Sequence, residues 1–217
     1  MTEPIAAGRE ADIFALDDRR VLRRYRNGDD TTVEARIMAY VGDLGYPVPE
    51  VFRAHGPDLV MDRLTGPTMA QALFAGHLDT AGAARMLAGL LEHLHGLAVW
   101  PEAAPGDSVL HLDLHPENIM LTERGPVVID WRNATAGAAD LDTALSALIL
   151  AQVAIGSIAH PLGAGAGTVL DLFLALAPGD PTRLLDDAVA MRARQSTMSP
   201  DEVRMLPAAA ARVRGER

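Results

Sequence analysis

Between residues 111 and 130 the chain reads His111-Leu-Asp-Leu-His-Pro-Glu-Asn118, then two apolar runs, then Asp130. Ile119–Leu121 and Val127–Ile129 have the length and apolar character of short strands. Thr122-Glu-Arg-Gly125-Pro126 between them has the composition of a turn. A hairpin of that size puts the residue before its first strand and the residue after its second at one end. Asn118 and Asp130 are thereby brought to the same place, a carboxamide and a carboxylate with hard oxygen donors. Such a pair suits Mg²⁺, which prefers oxygen ligands and keeps open positions for phosphate.

Asp113 stands on the same loop, upstream of Asn118, where it can take a proton from a hydroxyl nucleophile. A base on an H-x-D-x-x-x-x-N loop, with Asn and Asp on the metal, is the division of labour of phosphoryl transfer. The bland alternatives are an Asp bonding its own turn at 113, a helix or strand cap at 118 and an exposed strand end at 130. His111 and His115, with His93 and His95 nearby in sequence, could instead suggest zinc. Helical spacing would be needed to align the first two, and Pro116 argues against a helix there.

Composition narrows the field. Net charge is −10 and the sequence pI is near 5.1, which disfavours non-specific binding to nucleic acid or to an anionic membrane. The same balance is compatible with a cationic ligand. The absence of cysteine excludes disulfides, thiolate metal sites and cysteine nucleophiles. Met1-Thr-Glu-Pro4 has neither a basic region nor an apolar run, and the apolar window Ala144–Ala159 is interrupted by Ser146, Gln152 and Gly156. The expectation is a cytoplasmic protein without a membrane span.

Residues up to Leu64 read as strand-rich with one helix. Gly8–Leu16 and Val21–Tyr25 form a hairpin around Asp17-Asp18. The spacing of Val33, Ile37, Tyr40, Val41 and Leu44 predicts a helix over residues 31–44 with those side chains on its buried face. Val51–Ala54 and Leu59–Met61 are two further strands. From Thr68 the pattern turns helical, with a short helix to Ala75 and a longer one from an Asp79 cap to His95. Its buried stripe is Ala84, Leu87, Leu90, Leu91 and Leu94. A helix follows over about 140–155, a glycine-rich break over Pro161–Gly167, and two or three more helices to Arg214. The organisation expected is α+β: a small β-rich lobe over residues 1–64 and a larger, mainly helical lobe over 65–217.

This order, with the motif at its centre, resembles the aminoglycoside phosphotransferase and choline kinase-like family of small-molecule kinases, which share the bilobal protein-kinase-like fold. The resemblance runs from Gly8 to about Leu150 and is tightest over residues 111–130. It implies an ATP- or GTP-dependent transfer to a small-molecule hydroxyl, with Mg²⁺, the nucleotide lying between the lobes. It assigns Asp113 as base and Asn118 and Asp130 to the metals. His111 would brace the loop, and His115 would lie near the transferred phosphate. Arg23 stands where the fold places its phosphate-gripping Lys, and Glu34 where it places the partner carboxylate. Thr31-x-x-Glu34 is also a capping box, and Arg24 competes with Arg23 for the role. Gly8 stands alone where the fold often has a glycine-rich loop. Val21, Met61, Leu64, Met120 and Ile129 would surround the base, and Asp142 would brace the catalytic loop.

Two other readings remain open. A protein kinase would share the loop, but Asp130-Trp131-Arg132 replaces Asp-Phe-Gly and no Ala-Pro-Glu follows. A degenerate, nucleotide-binding relative without turnover would explain Arg23 and the lone Gly8. The acceptor and the oligomeric state are not readable from the sequence.

Overall fold

The computed structural model describes residues 3–8 and 10–216, with backbone alone at Ala164. In chain order the elements are β1 (Ala6–Ala7), β2 (Ala11–Ala15), β3 (Arg20–Tyr25), α1 (Thr32–Asp43), β4 (Val51–His55), β5 (Asp58–Asp62), α2 (Met69–Phe74), α3 (Thr80–His95), β6 (Ser108–Leu110), a 3-10 turn (Pro116–Asn118), β7 (Ile119–Thr122), β8 (Gly125–Val128), β9 (Thr135–Gly137), α4 (Ala139–Ala154), α5 (Gly163–Leu176), α6 (Leu185–Ala193) and α7 (Pro200–Arg214). The chain forms two compact units. One is built from the chain up to Gly66 with Met120–Ala134, the other from Pro67–Ile119 with the chain from Thr135 on. Most of the hairpin that ends near Asp130 therefore groups with the first unit.

In the first unit, five strands make an antiparallel sheet in the order β1-β2-β3-β5-β4. The β2–β3 turn is closed by Asp17, whose carboxylate accepts the backbone N–H of Arg19 at 2.9 Å and of Arg20 at 2.8 Å. Side chains alternate along β3, so Val21, Arg23 and Tyr25 are buried on one face while Arg24 lies on the other. Trp131, fully buried, donates its indole N–H to the Val128 carbonyl at 2.9 Å and meets the Tyr46 ring edge-on at 5.5 Å.

Helix α1 occurs where expected, but its inner face is turned. Glu34, Ala35, Ile37, Met38 and Val41 are buried, whereas Val33 is 64% exposed and Leu44 is exposed too. The reason is Glu34, which points inward to Arg23. Val33, one residue earlier and about 100° round the helix, must then face solvent. At Gly66 the backbone φ is +139°, and a Cβ there would lie 2.0 Å from the Leu121 carbonyl oxygen. Only glycine fits that close passage.

The second unit is helical. Thr68 caps α2 in a reciprocal capping box with Gln71, and Asp79 caps α3 through the Gly82 N–H at 2.6 Å. The expected α3 stripe is buried as read. Helix α4 is its centre, buried from Asp140 to Gln152 apart from Leu141 and packed by α5, α6, α7 and β6. Each of its enclosed leucines contributes about 2 kcal/mol of apolar burial. The glycine-rich break is shorter than expected, because α5 already begins at Gly163. A small pair, β6 with β9, was not legible in the sequence; Ser108 faces Gly137 and Leu110 faces Thr135. The α+β class expected from the sequence is the class observed. No helix among the described residues is long and apolar enough to cross a membrane.

Candidate active site

Strand β6 delivers the chain to His111, and the backbone there is fixed by one buried carboxylate. Asp142, on the first turn of α4, accepts the N–H of His111 at 2.9 Å and of Leu112 at 2.7 Å. His95 Nε2 stands 3.1 Å from the same group, and an imidazole N–H donating there suits the carboxylate. Leu112 has φ +61°, a left-handed conformation that a leucine rarely takes. Asp142 thus acts as the expected brace of the loop and caps no helix end, since the residue before α4 is Ala138 and no side chain caps it.

The bend at Leu112 presents Asp113. Its N–H donates to His111 Nδ1 at 3.3 Å, which gives the buried His111 the bracing part expected of it. Asn118 Nδ2 donates to the Asp113 carbonyl at 2.9 Å and to its Oδ2 at 3.3 Å. Arg192 Nη1 lies 3.4 Å from Oδ1, and His115 Nε2 lies 3.8 Å from Oδ2. Burial pushes the Asp113 carboxyl up, but His115 first, then Arg192 and His111, more than offset it, so the group sits below the ordinary carboxylate value. It is an ionised, half-buried carboxylate at neutral pH.

His115 starts the 3-10 turn and takes the Glu117 N–H on Nδ1 at 3.3 Å, while its Nε2 lies 3.3 Å from Asn118 Nδ2. Asn118 is buried, and with its nitrogen committed to Asp113 its oxygen is the end a cation would take. Glu117 is tied at both oxygens, by Thr68 Oγ1 at 2.8 Å and by His160 Nε2 at 2.8 Å.

The first unit holds the other group of expected residues. Arg23 Nη2 donates to Glu34 Oε1 at 2.6 Å and Oε2 at 2.7 Å, and also to the Tyr25 hydroxyl. Tyr25 in turn donates to Glu34 Oε2 at 2.9 Å. Arg24 faces away and grips Asp58 through two bonds of 2.6 Å, so the two arginines do not exchange places. Thr31 makes no side-chain cap to α1; its hydroxyl donates to the Gly56 and Asp58 carbonyls, and the capping box is absent. Burial lowers the pKa of Arg23, but Glu34, Asp130 and Tyr25 raise it further, and it stays cationic. Burial likewise lifts the Glu34 carboxyl above its ordinary value, against the pull of Arg23 and Tyr25.

Asp130 belongs to this group, its Oδ1 3.5 Å from Arg23 Nη1, and its side chain is 49% exposed. The strand expected to run to Ile129 ends at Val128, and Asp130 itself adopts φ +65°. Among the described residues no three His, Cys, Asp or Glu side chains gather into a self-sufficient metal set. The Asp130 carboxylate and the Asn118 carboxamide oxygen are each of the hard kind that Mg²⁺ takes.

Of the apolar residues, Val21 and Met61 are both buried and face each other across β3 and β5. Leu64, Met120 and Ile129 are half-buried. Gly8 donates its N–H to the Ala11 carbonyl at 2.9 Å, an ordinary turn leading into β2. Three neighbours of these groups were missed by the sequence reading. Tyr25 was available from the alternation of β3. Arg132, which pairs with Glu10 and Asp29 and lies over the Tyr25 ring at 4.8 Å, and Arg192 had no local signal.

The family model described as "Phosphotransferase enzyme family" matches residues 2–107 and 97–178. No curated protein matches the chain in sequence. Among solved structures, the aminoglycoside phosphotransferase APH(4)-Ia is 14% identical with a TM-score of 0.69, over 99% of this chain and 93% of that one. The streptomycin–ATP–APH(2")-IIa ternary complex gives 12% and 0.60, over 97% and 92%. The amicoumacin kinase hAmiN, in complex with AMP-PNP, Ca²⁺ and Ami, gives 13% and 0.58, over 97% and 87%. At such identities the likeness is one of fold. The family match spans most of the chain, and on that ground the protein belongs to the phosphotransferase enzyme family.

Proposed function

We propose that the protein transfers the γ-phosphoryl group of ATP to a hydroxyl of a small molecule, with Mg²⁺. The observation that carries this reading is Asp113, ionised at neutral pH and held by Asn118, His111 and Arg192 on a loop that Asp142 keeps bent. Asp113 orients the acceptor hydroxyl and receives its proton as the bond to phosphorus forms, so its position matters more than its basicity. His115, beside it, faces the transferred group.

Arg23, fixed by Glu34 and Tyr25, grips the nucleotide phosphates in place of the lysine more usual in the fold. A guanidinium can do this because it presents several donors from one rigid fork. Asn118 and Asp130 would hold Mg²⁺, which supplies positive charge to the phosphates when bound. Val21, Met61, Leu64, Met120 and Ile129 would enclose the base. Support also comes from relatives whose structures hold ATP or AMP-PNP, one of them with Ca²⁺.

The test is direct. Purified protein with Mg²⁺ should bind ATP or GTP, and Asp113→Ala should abolish transfer while keeping most nucleotide affinity. No binding of either nucleotide at millimolar concentration would overturn the reading.

A further inference from the structure

Within the second unit, Arg192 is one end of a polar group that the chemistry above uses only for its hold on Asp113. Arg192, on α6, is buried and donates from Nε to Gln152 Oε1 at 3.0 Å and from Nη1 to Gln195 Oε1 at 2.7 Å. A guanidinium can only donate, so Gln152 must turn its oxygen to Arg192 and its amino group the other way. That Nε2 is buried and has no hydrogen-bond partner among the described residues. Ser157, whose N–H donates to the Gln152 carbonyl at 2.9 Å, carries a buried hydroxyl that likewise has none. Native proteins satisfy nearly all such groups, through protein, ordered water or a bound ligand.

The charges point one way. Both oxygens of Glu117 are occupied, by Thr68 and His160, and both oxygens of Asp113 face donors, Arg192 and Asn118. A polycationic acceptor would need carboxylates that are not already committed. What stands beside Asp113 is a buried cation, Arg192, whose partner Gln152 carries an unpaired amide N–H₂, and Ser157, bonded through its backbone to Gln152, carries an unpaired buried hydroxyl. Oxyanions take such donors, and a guanidinium matches carboxylate and phosphate alike.

We propose that Arg192, Gln152 and Ser157 form an acceptor subsite for an oxyanion, and that the acceptor is a hydroxylated small molecule bearing a carboxylate or phosphate within one or two carbons of its reactive hydroxyl. This rests on the phosphotransfer reading and deepens it. The Arg192–Asp113 contact, at 3.4 Å, is the loose one of the set. An arriving oxyanion takes over that guanidinium and leaves Asp113 to the hydroxyl.

A matched series separates the possibilities: D-glycerate, glycerol 3-phosphate, glycerol, choline and kanamycin, each titrated calorimetrically into the full chain with Mg²⁺ and AMP-PNP. At least one of the two anions should bind about tenfold or more tighter than glycerol, and which one does so tells carboxylate from phosphate. Arg192→Met should remove that preference and Arg192→Lys should keep part of it. If Arg192→Met does not fold, Ser157→Ala carries the test and should weaken the anion by about fivefold. Equal or tighter binding of glycerol, choline or kanamycin overturns the proposal, as does the absence of anion binding, or an anion preference unchanged in a folded Arg192→Met or Ser157→Ala. ATP titrated in parallel keeps the two ideas apart. Failure of ATP to bind strikes the phosphotransfer reading, whereas ATP binding without anion preference strikes this one alone.

Discussion

Leu112 donates its backbone N–H to Asp142 Oδ1 at 2.7 Å, and that bond holds a leucine in the left-handed region at φ +61°. The conformation costs about 1–2 kcal/mol. A carboxylate with no solvent exposure, accepting from two backbone N–H groups and facing His95, more than offsets it.

Asp142→Asn follows from that relationship. An amide has one accepting oxygen, and its nitrogen would confront an N–H donor. Stability in urea unfolding should fall by about 2–4 kcal/mol. Transfer should fall further than the folded fraction does, because Asp113 is the next residue along the released backbone. Equal losses in both would mean that the bend has no bearing on the chemistry.

Removing one half of the Arg23–Glu34 pair leaves the other buried and uncompensated. Arg23→Met should destabilise the chain by about 3–5 kcal/mol, and Arg23→Met with Glu34→Leu should recover most of that loss. Chemical denaturation of both variants checks it. A double variant no more stable than the single one would show that the pair is not coupled.

The Asp113 carboxyl lies below its ordinary value of 3.8 because His115 and Arg192 outweigh its burial. Its folded value is thus depressed relative to the unfolded chain. The stability it contributes is present above the ordinary value and is lost as pH falls through the folded one. His115→Gln should bring the carboxyl back toward 3.8 and shrink that acid-side loss. A ¹³C titration of the Asp113 carboxyl, with and without His115→Gln, reads the shift directly, and an unmoved titration would exclude His115 as its cause.

Asp130 offers the opposite balance of stability and chemistry. It is half exposed and adopts φ +65°, which glycine takes without strain. Asp130→Gly should change stability by less than about 1 kcal/mol and should reduce Mg²⁺-dependent transfer by at least about a hundredfold. Thermal unfolding beside a phosphate-transfer assay makes the comparison; retained transfer would remove Asp130 from the metal.

The sequence made some of this legible and hid the rest for identifiable reasons. The bracing part of Asp142 and the Arg23–Glu34 pair could both be expected from the resemblance. The inner face of α1 could not be read from apolar spacing, because a charged residue, Glu34, occupies it and turns Val33 outward. The β6–β9 pair was invisible since Thr135–Gly137 is too short and too small in side chain to carry a strand pattern. Arg192 reaches Asp113 from 79 residues away, and no local motif announces a contact made only by the packing of α6 on α4.

Gly66 sets the last point, through the order in which the chain is made. There the backbone slips past the Leu121 carbonyl, a neighbour that belongs to the returning segment Met120–Ala134. A ribosome releases the five sheet strands first, then all of Pro67–Ile119, and only then the piece that completes the first unit. Until Ala134 has emerged, the first unit stands without Trp131 against Tyr46 and without Asp130 beside Arg23. The nascent chain passes through a stage in which an early-made sheet waits for its closing segment, the condition in which partly folded chains are most exposed to mispairing and to chaperones.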